Sequence, residues 1–196
     1  SPTAKSLAMN ITIVGAAGGE VTGSAYYVQT KQASVLVDCG LFQGGKKSEA
    51  LNRPPTSPRQ KIDAVVVTHG HLDHTGRLPL LAQRGHKMPV YATPATIDMA
   101  SLIIRDSARI QAGDAKRKNR KRAQTGEAPV EPLYTEQETE DIIKCFRPVP
   151  YNKPVKVATG IEARFVEAGH MLGSTSIELT VNEDGRQKRV DHDGRR

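Results

Sequence analysis

The sequence predicts one domain that mixes helices and strands, of α/β or α+β class, on three observations. The chain has 196 residues, which is enough for a single substantial core. Hydrophobic residues make up 37% and charged residues 25%, as in globular proteins. Short β-branched segments alternate with segments of helical periodicity. No apolar stretch could span a membrane and no signal-peptide pattern is present, so we expect a cytoplasmic protein without a membrane partner.

The first half is predicted to be rich in strands, because β-branched and aromatic residues alternate with polar ones between turn residues. A helix is expected at 75–84, since Gly85 is suited to end it. The strands expected in this half are 10–14, 24–30, 34–38, 62–67 and 89–92, of which the second and third form a hairpin.

The second half is predicted to begin with a long helix, because Thr93-Pro94 suits a first helical turn. This helix is expected to end near Gln111, before a basic segment and a linker at 126–132. The pattern Thr135-Glu136-Gln137-Glu138 predicts a capping box and a helix to about Phe146. Strands are expected at 155–157, 161–167 and 175–181, with a hairpin turn at Asp184-Gly185.

A cluster of metal-binding residue types follows the buried strand at 62–67. His69, His71, Asp73 and His74 lie within six residues and would be delivered to one edge of a sheet. Imidazole and carboxylate groups are the ligands that suit zinc. Four such groups side by side would repel one another or stay unsatisfied in a core without a cation. The cluster therefore predicts a metal site. If two ions bind roughly 3.5–4 Å apart, they could stabilise both the attacking and the leaving group of a displacement reaction.

A further histidine is expected to complete that site. His170 lies in a loop between two predicted strands, flanked by Gly169 and Gly173, which permit close backbone approach. His86 lacks such a context and is expected at the surface. Cys39 and Cys145 form no disulfide framework and are expected to be small buried side chains.

Much of the net charge of +7 lies in one basic segment. Such a surface attracts polyphosphate, but the pattern is equally typical of a solvated helix end or a mobile loop. Aromatic residues make up only 4% and tryptophan is absent, so platforms for stacking bases are scarce. The candidate nucleic-acid-binding residues are Lys116, Arg117, Lys118, Arg120, Lys121 and Arg122.

These motifs together resemble a known family. Asp38 in the Leu-Val-Asp-Cys-Gly segment, the His-x-His-x-Asp-His unit at 69–74 and His170 resemble successive motifs of the metallo-β-lactamase fold. Further passages at 18–24, 38–44, 71–79 and 168–174 are similar to its β-CASP branch, which includes RNA nucleases related to the pre-mRNA 3′-end cleavage endonuclease and to ribonuclease J.

The resemblance implies a fold and indicates which part of that fold this chain covers. It implies an αββα sandwich, of which 1–196 would be the N-terminal portion, with a basic insert near 113–126 and without the β-CASP domain. Because the family's last ligand to the second ion would lie beyond this chain, we expect the isolated chain to be weakly active or inactive.

The resemblance also implies a ligand set for two zinc ions. His69, His71 and His170 would hold the first ion, and the catalytic pair Asp73 and His74 would hold the second. Asp38 would orient the ligand loop. An aspartate that bridges both ions is expected within 190–194. Counting from the turn at Gly185 places Asp193 at the bridging position. Asp191 is the alternative, because the surrounding residues depart from the family pattern.

The function implied is that of a zinc-dependent RNA phosphodiesterase, endo- or exonucleolytic, in which metal-bound hydroxide cleaves single-stranded RNA held by the basic segment. Assembly into a homo-oligomer is compatible with it. One alternative is another hydrolase of the same fold, acting on a thioester or a lactam. The other is an inactive fragment that binds metal or RNA.

Overall fold

The computed structural model describes residues 9–16 and 22–193, which contain ten strands and five helices. The passage at 18–24 therefore lies partly outside the described residues, and Gly194 of the segment 190–194 lies outside them. The strands are β1 Asn10–Ile13, β2 Tyr26–Gln29, β3 Ser34–Val37, β4 Ala64–Val66, β5 Val90–Ala92, β6 Phe146–Pro148, β7 Val155–Ala158, β8 Ile161–Glu167, β9 Thr175–Glu183 and β10 Arg186–His192. The helices are α1 Lys46–Glu49, α2 Leu72–Thr75, α3 Leu78–Gln83, α4 Pro94–Thr125 and α5 Glu136–Ile143.

The strands form two sheets. The larger has six strands in the order β1-β2-β3-β4-β5-β6, antiparallel as far as β3 and parallel from β3 to β6. The smaller is an antiparallel sheet in the order β10-β9-β8-β7. Every residue of β3 and β4 is buried, as expected for central strands that are covered on both faces.

The two sheets pack face to face around an apolar layer. Val35 and Val66 of the larger sheet belong to one buried cluster with Phe165, Ile177 and Leu179 of the smaller sheet. Alternate residues of β8 and β9 are buried, so each of these strands turns one face to this layer. Burial of alternating side chains therefore fixes the register of the strands, and with it the common edge at which loops of the two sheets meet.

Helices cover the opposite face of the larger sheet. Leu36 and Val65 pack there with Leu81 of α3, Ile104 of α4 and Ile142 of α5. The part of the chain that the structure describes thus forms three layers, helix on sheet on sheet. A second helical layer, which an αββα sandwich would place on the smaller sheet, is not among these residues.

Most predicted strands are confirmed, whereas three helix predictions were wrong. The long helix α4 does not end near Gln111 but continues to Thr125, because 112–125 is dominated by Ala, Lys, Arg and Gln, which are strong helix formers. Its C-cap is Gly126, which adopts φ 70°. The helix expected at 75–84 is split into α2 and α3.

The other errors concern short segments. The capping box at Thr135 is confirmed, but α5 ends at Ile143, and Phe146 begins strand β6 instead of ending the helix. The single-turn helix α1 was not predicted. In the described part of the chain, no helix combines the length and the apolar character that crossing a membrane would need.

Candidate metal centre

The candidate site lies where the two sheets meet at one edge. The chain leaves β4 through Thr68 directly into the histidine-rich segment, and the β8–β9 loop carries His170 to the same place. Thr175, the first residue of β9, ties the two together. Its backbone N–H and its hydroxyl donate to the Thr68 carbonyl at 2.8 and 3.0 Å. The site is therefore built at a junction that both sheets position.

Three of the predicted ligands converge. One nitrogen from each of His69, His71 and His170 lies within 4.8 Å of the others. The ring centroids of His69 are 4.9 Å from those of both His71 and His170. His69 is 1% exposed, whereas the other two rings are exposed at the surface of the cluster. Three imidazoles with one open side match the donor set of zinc sites that keep a position for a reacting molecule.

Asp73 and His74 form a second pair beside this triad. Helix α2 begins after His71 and turns both side chains toward the site. His74 Nε2 lies 3.6 Å from Asp73 Oδ2, and the His74 ring centroid is 4.1 Å from that of His69. The pair thus adjoins the triad, although the close nitrogen cluster among the described residues comprises only the other three histidines.

Asp38 is the buried carboxylate that orients two of these imidazoles. It is fully buried and its backbone has φ 57°, in the left-handed region that few non-glycine residues adopt. It accepts hydrogen bonds from His74 Nδ1 at 2.7 Å, from the Thr68 amide at 2.8 Å and from the Thr68 hydroxyl at 2.9 Å.

The Thr68 hydroxyl links Asp38 to His69. Because its proton is donated to Asp38, its oxygen accepts from His69 Nδ1 at 3.0 Å. Asp38 therefore places the proton of His74 on Nδ1 directly and that of His69 on Nδ1 through Thr68. In the neutral form of both rings the Nε2 lone pair is then available to a metal ion.

The charges of the site follow from burial and from these contacts. Burial, assisted by the neighbouring imidazoles, lowers the pKa of His69 to about 3, so this ring is neutral at pH 7. Burial favours protonation of Asp38, but His74 and His192 outweigh it and hold the pKa of Asp38 well below its usual range. Burial opposes the charged form of His74, yet the adjacent Asp38 raises its pKa.

His192 is a residue of this site to which sequence reasoning gave no role. Its Nε2 lies 3.6 Å from Asp38 Oδ2, and its ring packs against Tyr26 with centroids 4.7 Å apart. That nitrogen is buried without a hydrogen-bond partner. The sequence signal that could have indicated His192 is the alternation of side chains along β10, which turns 190 and 192 to the same face. Val190 packs on that face against the layer between the sheets.

The two candidates for the bridging aspartate differ in their surroundings. Asp193 follows β10 and accepts a hydrogen bond from the Ser176 hydroxyl at 3.2 Å, beside the start of β9. Asp191 is exposed and its carboxylate accepts from Arg189 Nε at 2.7 Å. The structure thus brings Asp193 toward the junction of the sheets, while Asp191 is engaged on the surface of β10.

The basic segment lies on α4, away from the histidines. Five of its six cations are exposed, and Arg122 is half-buried against the Ala128 carbonyl. The segment is a continuation of α4 and not a loop. His86 is half-buried outside the site, Cys39 is fully buried and Cys145 half-buried, and both thiols are free.

A buried arginine supports the loops around the site. Arg77 is 2% exposed and donates to four backbone carbonyls, those of Gly40, Arg53, Val14 and Gly23. Its guanidinium also lies 4.7 Å from the centroid of the Phe42 ring. The residue thus joins the loop after β1, the loop after β3 and the turn between α2 and α3.

Helix α4 is anchored at its N-terminal end to both loops that carry the candidate metal ligands. The hydroxyls of Thr93 and Thr96 donate to the Gly173 carbonyl at 2.7 and 2.8 Å. A Cβ atom on Gly173 would lie 2.6 Å from the Thr96 nitrogen, and one on Gly70 would lie 2.8 Å from Met99 Cβ. Glycine is therefore needed at both positions for the helix to approach the site so closely.

This architecture and this histidine cluster define a metallo-β-lactamase-type domain. Residues 18–100 match the family model described as "Metallo-beta-lactamase superfamily". The chain therefore contains a metallo-β-lactamase superfamily domain.

Curated relatives with similar sequences carry names that refer to RNA and transcription. Ribonuclease TTHA0252 of Thermus thermophilus is 35% identical over 170 residues, which cover 86% of this chain and 34% of that protein. Transcription termination factor FttA of Methanosarcina mazei is 33% identical over 183 residues, which cover 92% of this chain and 26% of that protein. The chain thus spans about a third or less of the length of these relatives.

Solved structures agree on the fold. A subclass B3 metallo-β-lactamase with an active-site glutamic acid superposes with a TM-score of 0.52 at 18% identity, covering 93% of this chain and 58% of the other. The metallo-β-lactamase fold protein YhfI of Bacillus subtilis gives a TM-score of 0.53 at 22% identity, covering 95% and 61%. At such identities the likeness concerns the fold alone.

Proposed function

We propose that this chain provides the metal centre of a zinc-dependent RNA phosphodiesterase. The observation that carries the proposal is the convergence of His69, His71 and His170 in a chain that is 35% identical to a protein named a ribonuclease. The β-CASP-like motifs support RNA as the substrate class.

The residues present fit a zinc ion. The triad offers three nitrogens within 4.8 Å of one another, and His69 is held neutral with its Nε2 unprotonated. We assign a second ion to Asp73 and His74, with Asp193 as the bridging ligand, because Asp193 approaches the sheet junction while Asp191 is paired with Arg189. When bound, such ions polarise a phosphoryl oxygen and supply hydroxide at neutral pH.

The chain's own residues prepare this chemistry by fixing directions and protons. Asp38 keeps His74 and His69 in the tautomers that present Nε2, so no ring has to reorient when a ligand arrives. The exposed rings of His71 and His170 leave one side of the cluster accessible to a phosphodiester. The cations of α4 would hold the RNA backbone at a distance from the reacting group.

The proposal is tested by cleavage of a labelled single-stranded RNA with saturating zinc. We expect slow, zinc-dependent cleavage that a chelator abolishes, because the triad is complete whereas the second ion depends on fewer ligands. The matched control is His71→Ala, whose exposed ring can be removed without disturbing the core and which reports any contaminating nuclease.

Three outcomes would contradict the proposal. Cleavage that persists in His71→Ala would not arise from this site. Stoichiometric zinc binding with RNA bound but never cleaved, even at long incubation, would favour the alternative of a metal- and RNA-binding unit without catalysis. Hydrolysis of a thioester or lactam in preference to RNA would favour the other hydrolase class.

A further inference from the structure

His192 places a buried ring nitrogen beside the carboxylate that orients two of the candidate ligands. Its Nε2 lies 3.6 Å from Asp38 Oδ2. That nitrogen is buried and has no hydrogen-bond partner among the described residues. Because an unpaired buried polar atom is costly, its position beside Asp38 needs a physical explanation.

Asp38 has room for one more hydrogen bond. An ionised carboxylate offers about four lone-pair sites. The Thr68 amide, the Thr68 hydroxyl and His74 Nδ1 donate to Asp38 at 2.8, 2.9 and 2.7 Å. One site therefore remains for a further donor, and His192 Nε2 lies only slightly beyond the usual hydrogen-bond limit of about 3.2 Å.

The surroundings of His192 indicate which nitrogen of its ring carries a proton. If Nε2 presented a lone pair, two electron-rich atoms would face each other in a buried place. With a proton on Nε2, the same approach becomes a hydrogen bond to an ionised acceptor, which is among the stronger kinds. The ring packs against Tyr26 with centroids 4.7 Å apart, which restricts its orientation.

A hydrogen bond between His192 and Asp38 would join the two sheets. Asp38 directly follows β3 of the larger sheet, and His192 is the last residue of β10 in the smaller sheet. Among the described strands, β10 lies at an edge and pairs with β9 alone. The contact would therefore hold the end of β10 that leads into Asp193.

Two of the ligands that we assign to the second ion lie next to this contact. His74 Nδ1 donates to Asp38 Oδ2, the same oxygen that His192 approaches. Asp193 is the residue after His192. The first ion depends on the contact less directly, because His69 reaches Asp38 only through the Thr68 hydroxyl.

We propose that His192 is a positioning residue for the second ion. Its Nε2–H donates to Asp38 and thereby fixes His74, through the shared carboxylate, and Asp193, through the end of β10. His192 itself contacts neither the ion nor the substrate. The inference rests on the proposed function, because the second ion is part of that proposal.

The first experiment examines the hydrogen bond in the metal-free chain, by NMR with ¹⁵N-labelled histidine at an alkaline pH where imidazoles are neutral. Couplings between the ring nitrogens and the carbon-bound ring protons identify the protonated nitrogen. The signals of His192 are assigned by their loss in His192→Gln. We expect the proton on Nε2, and a proton on Nδ1 would overturn the inference.

The second experiment measures the affinities of both zinc ions by competition with a chelator. His192→Phe keeps a ring against Tyr26 but removes the donor. It should weaken the second ion by about tenfold and the first by less than about threefold, since loss of a group that supports a ligand costs about 10–100-fold. His192→Gln, whose amide N–H can reach the same place, should restore the second ion to within about threefold.

The matched control is His86→Phe, the same change at a histidine outside the site, which should bind both ions as the unchanged chain does. A double-mutant cycle then shows whether His192 acts through Asp38. In Asp38→Asn, whose neutral amide is a weaker acceptor, adding His192→Phe should cost the second ion less than about threefold. An equal tenfold loss in both backgrounds would mean that the ring acts by packing alone and would overturn the inference.

The outcomes separate this inference from the proposed function. If the unchanged chain binds only one zinc, the second-ion assignment and the role of His192 are both wrong. If two ions bind but His192→Phe binds both normally, or His192→Gln restores nothing, only the role of His192 is wrong. Should His192→Phe fail to fold, the protonated nitrogen in the metal-free chain and the affinity of His192→Gln still decide.

Discussion

The loops that carry the candidate metal ligands and the basic segment 116–122 of α4 both gather charge, but the structure holds their side chains in different ways. Asp38, Thr68 and His69 are buried and joined by consecutive hydrogen bonds. Along α4 only the helix is fixed, and the cations project into solvent. Their pairs, such as Arg117 with Asp114, are exposed contacts of the kind that contribute about 0–1 kcal/mol each.

The difference indicates how each region should respond to the loss of one side chain. In the loops that carry the candidate metal ligands, one side chain determines the orientation of several others, because a buried polar group without its partner is costly. On α4, each cation acts nearly alone, so its loss should subtract one phosphate contact and leave the rest unchanged. Three substitutions test this contrast.

The largest effect is expected from His69→Ala. It removes a proposed ligand, and zinc affinity should fall by more than about 100-fold, since loss of a residue that merely supports a ligand costs about 10–100-fold. Equilibrium dialysis against a zinc chelator measures the change. His86→Ala, a histidine outside the site, should bind zinc as the unchanged chain does, and equal loss in both variants would contradict the assignment of the triad.

A smaller effect is expected from Asp38→Asn, which keeps the shape but can no longer fix both imidazoles as a carboxylate does. Zinc affinity should fall by about 10–100-fold, less than in His69→Ala. The same dialysis measures it, with Asp98→Asn on the exposed face of α4 as the control. If Asp38→Asn bound zinc normally, the imidazoles would not need this carboxylate for their orientation.

The smallest effect is expected from Asn119→Ala, which removes both hydrogen bonds to Val130. The free energy of unfolding should fall by about 1–2 kcal/mol, because two partly buried hydrogen bonds are lost. Zinc affinity should not change. Urea denaturation measures the difference, with Gln124→Ala on the exposed face of the same helix as the control. A loss of zinc affinity would show that the two regions are coupled after all.

The triad could be predicted from sequence because its members follow strand ends, and strand ends of packed sheets meet. His69 and His71 lie in one short segment, and His170 lies between two strands that pair. Burial of alternating residues is therefore enough to bring these three together, whatever the details of the loops.

The supporting contacts could not be predicted in this way. The hydrogen bond from Thr68 to Asp38 joins residues that are 30 positions apart, and the bond from His69 to Thr68 depends on the side-chain angles of two neighbouring residues. His192 contacts Asp38 only because β10 pairs with β9 in one register. The length of α4 was underestimated for a different reason, since a dense run of cations is as typical of a loop as of a helix.

Arg77 has a practical consequence for handling the protein. Each of its four hydrogen bonds goes to an uncharged carbonyl, and no ion pair joins it to a carboxylate in the parts of the chain that the structure describes. Added salt screens attraction between charges and therefore releases nucleic acid from exposed lysines and arginines. Added salt should weaken the hydrogen bonds of a buried guanidinium to peptide oxygens very little. A wash at high ionic strength should thus strip co-purified nucleic acid from α4 while the loops that frame the histidines stay joined.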